Sequence, residues 1–599
     1  MVWTENGPKS TTLSTNDRGR VRLASRCGRF TVQGGMLRDE FPTRQVLARH
    51  LLHSPAVRAA SLGLPQGEHA ASGASAETVD VHAATDPFAP LVAMVLGIDA
   101  QPRRMRASEV AAFGDPFTRH VLLQGKVPLS LGDLTAAIDG LSGDGSRKIR
   151  KLYAVAEGAA FQASNPAVQV NTRLVFTWQR DSATPADILL SASRTLDDPG
   201  SLLQLIAWSE TQGAYHFFER TGGAWAWAGN SFHALVGVSR GKGPFDSHIN
   251  GGLVMKELKA PWIHWHSQAA GIDRAVLFPA ASAGHPLFAD LEGAEVLERT
   301  VRTGVRRWTR RRVQNDLHDG LLANLPWYAR QILWTTSVNL VSADTLFSRL
   351  GDVEEFALPR TFFFDEDGIS AAAARLDPTF DILPSSEPVI PSSLYQEAAA
   401  VLELRVEDRE GGVSIRGDTN FAFAVPERAF EDLAVINELM AAGVLSSRLA
   451  MCLLMVDFSN PVFSPVRASL LDYFPESIGV GNDGAGLDAV LVAAIRASAG
   501  GATGAEREFL ALWDDPGLLG TVRTRLLAFV EAIRVRLRSL EGALDLLRLA
   551  ESRKEAFRGR KLNEFRHTTA RSGVTIAHLA MREDATLFVK SADVGEKEK

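Results

Sequence analysis

The chain has 599 residues, 45% hydrophobic and 22% charged, with two cysteines, a formal charge of −6 and a pI near 6.2. That length asks for about two to four domains, and an acidic chain of ordinary composition excludes a general binder of nucleic acid or of anionic membranes. With only Cys27 and Cys452, a disulfide scaffold and a cysteine-rich zinc or iron–sulfur site are excluded, and without CxxCH so is covalent haem.

From Met1 the chain runs through polar residues to Arg18, Arg20 and Arg22 without the apolar stretch of a secretory signal. Its longest apolar runs, such as 90–96 and 449–456, fall short of the roughly 20 residues a membrane span needs. A cytoplasmic location is the expectation.

Residues 1–85 read as an irregular N-terminal segment, with one helix predicted at 43–53 and a Gly/Ala/Ser/His-rich linker at 63–85. Next, Ser130 precedes Leu131, Leu134, Ala137 and Ile138, a helix with a serine N-cap that Gly140 ends. From Val168 the period changes to two, and strands are predicted at 168–178, 188–192, 202–208, 214–219 and 224–228. The links Glu210-Thr-Gln-Gly and Thr221-Gly-Gly are short and contain glycine, so adjacent strands should pair as antiparallel hairpins.

After about Asp290 the chain turns helical. Helices are predicted at 325–350, 429–440, 487–499 and 516–552, the last with proline at its start and an apolar stripe from Leu518 to Leu547. The stripe should pack within its own domain, with a homo-oligomer seam through the 516–552 helix as the alternative. The fold class is therefore α+β, an antiparallel β-meander in the centre followed by a predominantly helical C-terminal region. The divisions are 1–85 irregular, 86–290 β-rich, 291–590 mainly α-helical and 591–599 a disordered tail.

Chemistry concentrates between Tyr215 and His266, where five of the fourteen histidines fall, His216, His233, His248, His264 and His266. Eight of the eleven tryptophans lie between Trp208 and Trp334, and imidazole beside indole suits a dry metal or cofactor pocket as well as a Trp-rich core. In an extended segment His264 and His266 share a face, so with His248 or Asp246 they could bind one metal, while Trp262 and Trp265 would wall a cofactor.

The run 301–312 holds six arginines and no acid, with Arg302, Arg306 and Arg310 one turn apart, a face able to clamp haem propionates or an acidic substrate. His318 beside Asp319 could act as a general base, although Asp319-Gly320 is also an ordinary turn. The glycines at 222–223, 237–243 and 479–486 fit no phosphate-binding motif. Two functional readings lead, with a cofactor-free hydrolase using His318 as a third. One is an oxidoreductase using iron, non-haem or as non-covalent haem, on a small and acidic substrate. The other is a non-catalytic ligand-binding or assembly protein whose Trp/His cluster is structural core.

Overall fold

The computed structural model describes residues 91–253 and 284–590 with breaks at 141–148, 158–170, 182–183, 194–201, 222–223, 247, 294–296, 336–337, 342–353, 386, 409–412, 417–424, 481–484, 499–503 and 559–577, and the backbone of 13–15, 21–25, 28–33 and 36–37. The helix predicted at 43–53, the linker at 63–85 and the tail at 591–599 lie outside the described residues. Within the segment read as irregular, four short strands, β1 (Leu13–Thr15), β2 (Val21–Ser25), β3 (Gly28–Gln33) and β4 (Met36–Leu37), pair antiparallel in sequence order.

The predicted meander forms the centre of a nine-stranded mixed sheet. Its strands are β5 (Leu91–Ala93), β6 (Arg103–Arg104), β7 (Ile149–Glu157), β8 (Asn171–Gln179), β9 (Ile188–Ala192), β10 (Leu203–Ser209), β11 (Ala214–Thr221), β12 (Ala224–Asn230) and β13 (Leu291–Gly293). From β7 to β12 every neighbour is antiparallel and consecutive, as short hairpin links require. Two distant segments then add in parallel, β5 beside β12 and β13 beside β7.

Both faces of the sheet are covered. On one, Phe113 and Phe117 meet His216, Phe218, Trp225 and Trp227. Behind them lies helix α1 (Leu131–Asp139), whose Ser130 side chain accepts from the Asp133 amide as the predicted N-cap. On the other face lies α2 (Leu297–Asp316), which buries Leu297, Val301, Val305 and Trp308. Gly304 permits that approach, because a Cβ there would meet the Leu253 side chain at 2.5 Å and the Tyr215 hydroxyl at 2.7 Å. That hydroxyl donates to the Gly304 carbonyl at 3.2 Å.

The helical region has its own core, built from α3 (Leu325–Leu333), α4 (Glu366–Leu376), α5 (Phe430–Ala441), α6 (Ser447–Met455), α7 (Leu518–Arg536) and α8 (Leu540–Arg558). Helix α2 spans both cores, its first four turns on the sheet and Val313 in the helical cluster. Two predicted helices are corrected. The 325–350 pattern is helical only to Leu333, and Val338–Val341 is a strand paired antiparallel with Val425–Arg428. The 516–552 helix is two helices, since Ser539 takes the Gly542 amide at 3.2 Å and starts α8 afresh. The stripe Leu518, Val522, Leu526, Val530, Ile533 and Leu537 is buried in the chain's own core. Among the described residues no helix is long and apolar enough to cross a membrane.

Candidate functional site

His216 sits on β11 opposite Asn230 of β12. The Trp227 indole donates to its Nδ1 at 3.0 Å, which fixes the tautomer with hydrogen on Nε2, and that nitrogen is buried without a partner. Phe113 stacks 4.7 Å from both rings. Burial, with a smaller push from His233, drives the His216 imidazole down to about 3, so it stays neutral.

His233 lies on the short helix Ser231–Leu235, its Nδ1 2.7 Å from Asn230 Oδ1, with the ring edge-on to Trp227. Burial lowers its affinity for a proton and Asp99 opposes that shift. His248 belongs to a turn that Gly251 closes, with Nδ1 2.8 Å from the Gly252 carbonyl and its ring against Phe217. Three of the five clustered histidines thus take three separate partners. His264, His266, Trp262 and Trp265 lie outside the described residues, and of Asp246 only the backbone, ending a 3-10 turn, is described. Among the described residues no group of three or more His, Cys, Asp or Glu side chains gathers to hold a metal. Cys452 is buried, which pushes its thiol up to about 12.

The arginine helix distributes its charges. Arg302 pairs with Glu298 at 2.7 Å and lies over the Phe430 ring, Arg306 is exposed, and Arg310 meets Glu438 at 3.3 Å. The inward arginines bind the protein itself. Arg307 joins Asp187 (3.1 Å), the Ala186 carbonyl (2.6 Å) and the Tyr215 hydroxyl (3.1 Å) while stacking on Trp208. Arg312 donates to Gln331 at 2.8 Å and covers Tyr328.

His318 and Asp319 occupy an exposed hairpin rather than a helix end. Helix α2 stops at Asp316, Leu317–His318 pairs with Leu321–Leu322, and Asp319 and Gly320 both take positive φ, 51° and 75°. That is the two-residue turn an Asp-Gly pair favours.

Buried guanidinium groups are what the sequence reading missed. Arg467 is wholly buried, and its donors end on four carbonyls, Leu333 (3.1 Å), Val456 (3.3 Å), Asn460 (3.1 Å) and Pro461 (2.8 Å). Arg428 holds the carbonyls of Gln331 and Ile332 and forms a 2.8 Å ion pair with Asp365, a contact of charges rather than an aligned hydrogen bond. Arg553 donates to the Phe362 and Ser459 carbonyls. Burial pushes the Arg467 and Arg553 guanidiniums down to about 10 and about 9, and raises Asp432 well above the carboxylate range against the pull of Arg428. Three non-glycine residues with left-handed backbone, Thr335, Asp457 and Phe463, lie along the same segments. The sequence signal was present in the proline-punctuated stretch from Asp457 to Pro465.

At the seam between the two cores, Arg240 stacks 3.5 Å above the Trp327 ring. Neither residue stood out by spacing. Comparison with protein-family models, with curated proteins and with solved structures gave no match for this chain.

Proposed function

We propose that the chain is a ligand-binding or assembly protein, with the Trp/His cluster serving as structural core. The observation that carries this reading is the separation of His216, His233 and His248, which bind an indole, a side-chain amide and a backbone carbonyl respectively. A metal centre needs its imidazoles on one point at about 2 Å, whereas core histidines each take a partner of their own. The distribution of arginine contacts along α2 supports the same reading, since Arg302, Arg307, Arg310 and Arg312 tie the helix to the protein.

An iron-dependent oxidoreductase, with iron or haem at His248, Asp246, His264 and His266, is the second reading, and one contact favours it. The His248 Nδ1 rests on the Gly252 carbonyl, the kind of outer partner that metal-bound imidazoles use. Titrating the purified chain and its His264→Ala/His266→Ala variant with ferrous iron and with haem separates the two. The binding reading expects no stoichiometric uptake by either protein. Saturable one-to-one uptake that the double variant loses would overturn it.

A further inference from the structure

Arg240 follows the exposed turn of Val236, Gly237 and Val238, and Gly241 and Gly243, with φ of 63° and 58°, bend the chain after it. Its guanidinium lies on Trp327, which α3 presents from the other core. Arg312 of α2 comes within 5.9 Å of the same indole, and Arg330 stands one turn further along α3. One Arg240 nitrogen donates to the Leu235 carbonyl at 2.9 Å. The Nε of Arg240, the Nε of Arg312 and the Trp327 indole nitrogen are all buried and have no hydrogen-bond partner.

Burial first, then Arg330 and Arg312, weakens the hold of Arg240 on its proton, to about 10. No carboxylate among the described residues contributes at that guanidinium. The acids that act on Arg312 are Asp316 and Glu431. Asp316 is already taken by the Tyr328 hydroxyl at 2.6 Å and the Asn324 amide, and one oxygen of Glu431 by Asn250 at 3.0 Å. Stacking on the indole accounts for one guanidinium by cation–π attraction. It leaves the indole N–H unmet, with a second guanidinium, that of Arg312, 5.9 Å from the same ring.

We infer that Arg240, Trp327 and Arg312 form a binding site for a small oxyanion, the phosphate or carboxylate group of a small molecule. An acceptor of negative charge placed there meets the orphan donors and offsets the crowding of like charges in one step. Unmet guanidinium Nε atoms also occur at Arg302, Arg307 and Arg428, so the distinguishing orphan here is the Trp327 indole N–H beside two such groups, and a guanidinium fork matches both anions in two-point contact. The site rests on the binding reading above and gives it a ligand class. It also moves acid recognition away from Arg302, Arg306 and Arg310, of which Arg302 and Arg310 pair with Glu298 and Glu438.

The test is thermal unfolding of the full chain in inorganic phosphate, in succinate and in chloride at matched ionic strength. Wild type is expected to melt roughly 2 °C or more higher in saturating phosphate or succinate than in chloride, and the larger shift tells which group the site prefers. Arg240→Gln should abolish the difference, Arg240→Lys should keep part of it, and Trp327→Phe should weaken binding about tenfold. If Arg240→Gln does not fold, the Lys and Phe variants decide through dissociation constants read from tryptophan fluorescence. No shift with either anion, or equal shifts in wild type and the Arg240 and Trp327 variants (an adventitious ion only), overturns the site. Iron uptake combined with phosphate binding would instead sink the core reading and leave this site standing.

Discussion

The sheet and the helical region solve the same problem with different side chains. In the sheet, strand ladders already satisfy the backbone, so the interior can be aromatic, and its indoles meet single partners. Examples are Trp225 on the Pro128 carbonyl, Trp308 on Asn250 and Trp227 on His216. In the helical region, the connections around Thr335 and from Val456 to Ser464 carry carbonyls that no ladder reaches. Arg428, Arg467 and Arg553 supply the missing donors. Left-handed backbone at Thr335, Asp457 and Phe463 costs about 1–3 kcal/mol each, and it persists because the guanidiniums and the Asp457 contacts to Asn460 and Ser464 over-determine the loop. Buried charge here performs the task that sheet pairing performs next door.

The largest effect that contrast predicts is at Arg467. Replacing it with methionine removes the Arg467 donors from Leu333, Val456 and Asn460 and leaves Pro461 to Arg428 at 3.4 Å. Each carbonyl orphaned costs about 1 kcal/mol or more, so urea unfolding should show a loss of roughly 3 kcal/mol or more in the helical region. A variant within about 1 kcal/mol of wild type would mean that the carbonyls find other partners. In the sheet, Trp225→Phe keeps a stacked ring and removes the 2.7 Å bond to Pro128 together with part of the buried ring volume. About 1–2 kcal/mol should be lost, and a loss as large as that at Arg467 would erase the distinction between the regions.

Acid sharpens the comparison at His216. Its folded-state value lies far below that of the unfolded chain, so the unfolded state takes the proton first. The contribution of His216 to stability is intact above pH ~6.5 and is lost as pH falls toward about 3. Between pH 7 and pH 5 wild type should lose about 2 kcal/mol more than His216→Phe in urea melts at the two pH values. Parallel losses would mean that the ring is protonated in the folded protein. The smallest effect belongs to Arg310, whose side chain is 66% exposed beside Glu438. Arg310→Ala should shift the urea midpoint by the equivalent of at most about 0.5 kcal/mol, and a larger change would give that helix face a role its contacts do not explain.

The meander was legible because its signals are local. Alternation from Val168 to Trp178 located β8, and the glycine-bearing links around Gln212 and Gly222 predicted the hairpins on either side of β11. Strand β7 was missed because four basic residues, Arg147, Lys148, Arg150 and Lys151, surround its first residue Ile149 just after a Ser/Gly run, although it pairs with β8 along its full length. The parallel neighbours β5 and β13 come from distant parts of the chain, where three-residue pairings leave no period to read. Val338–Val341 shows the limit of apolar spacing, since the same residues fit a helix face until pairing with Val425–Arg428 decides. At the sites, residue type was visible and convergence was not. Six arginines in 301–312 suggested one cationic face, but an α-helix sends successive arginines in different directions. Arg307 turned inward onto Trp208, and Arg312 turned toward Tyr328 and Trp327, the indole that Arg240 covers from across the seam.

The measurement to make first is a visible absorption spectrum with elemental analysis on one sample of the full chain purified from iron-supplemented cells. If the Trp/His region is structural core, the folded protein is colourless and carries iron far below one atom per chain. A Soret band, or iron near one atom per chain, would contradict that and restore the histidines to a redox centre.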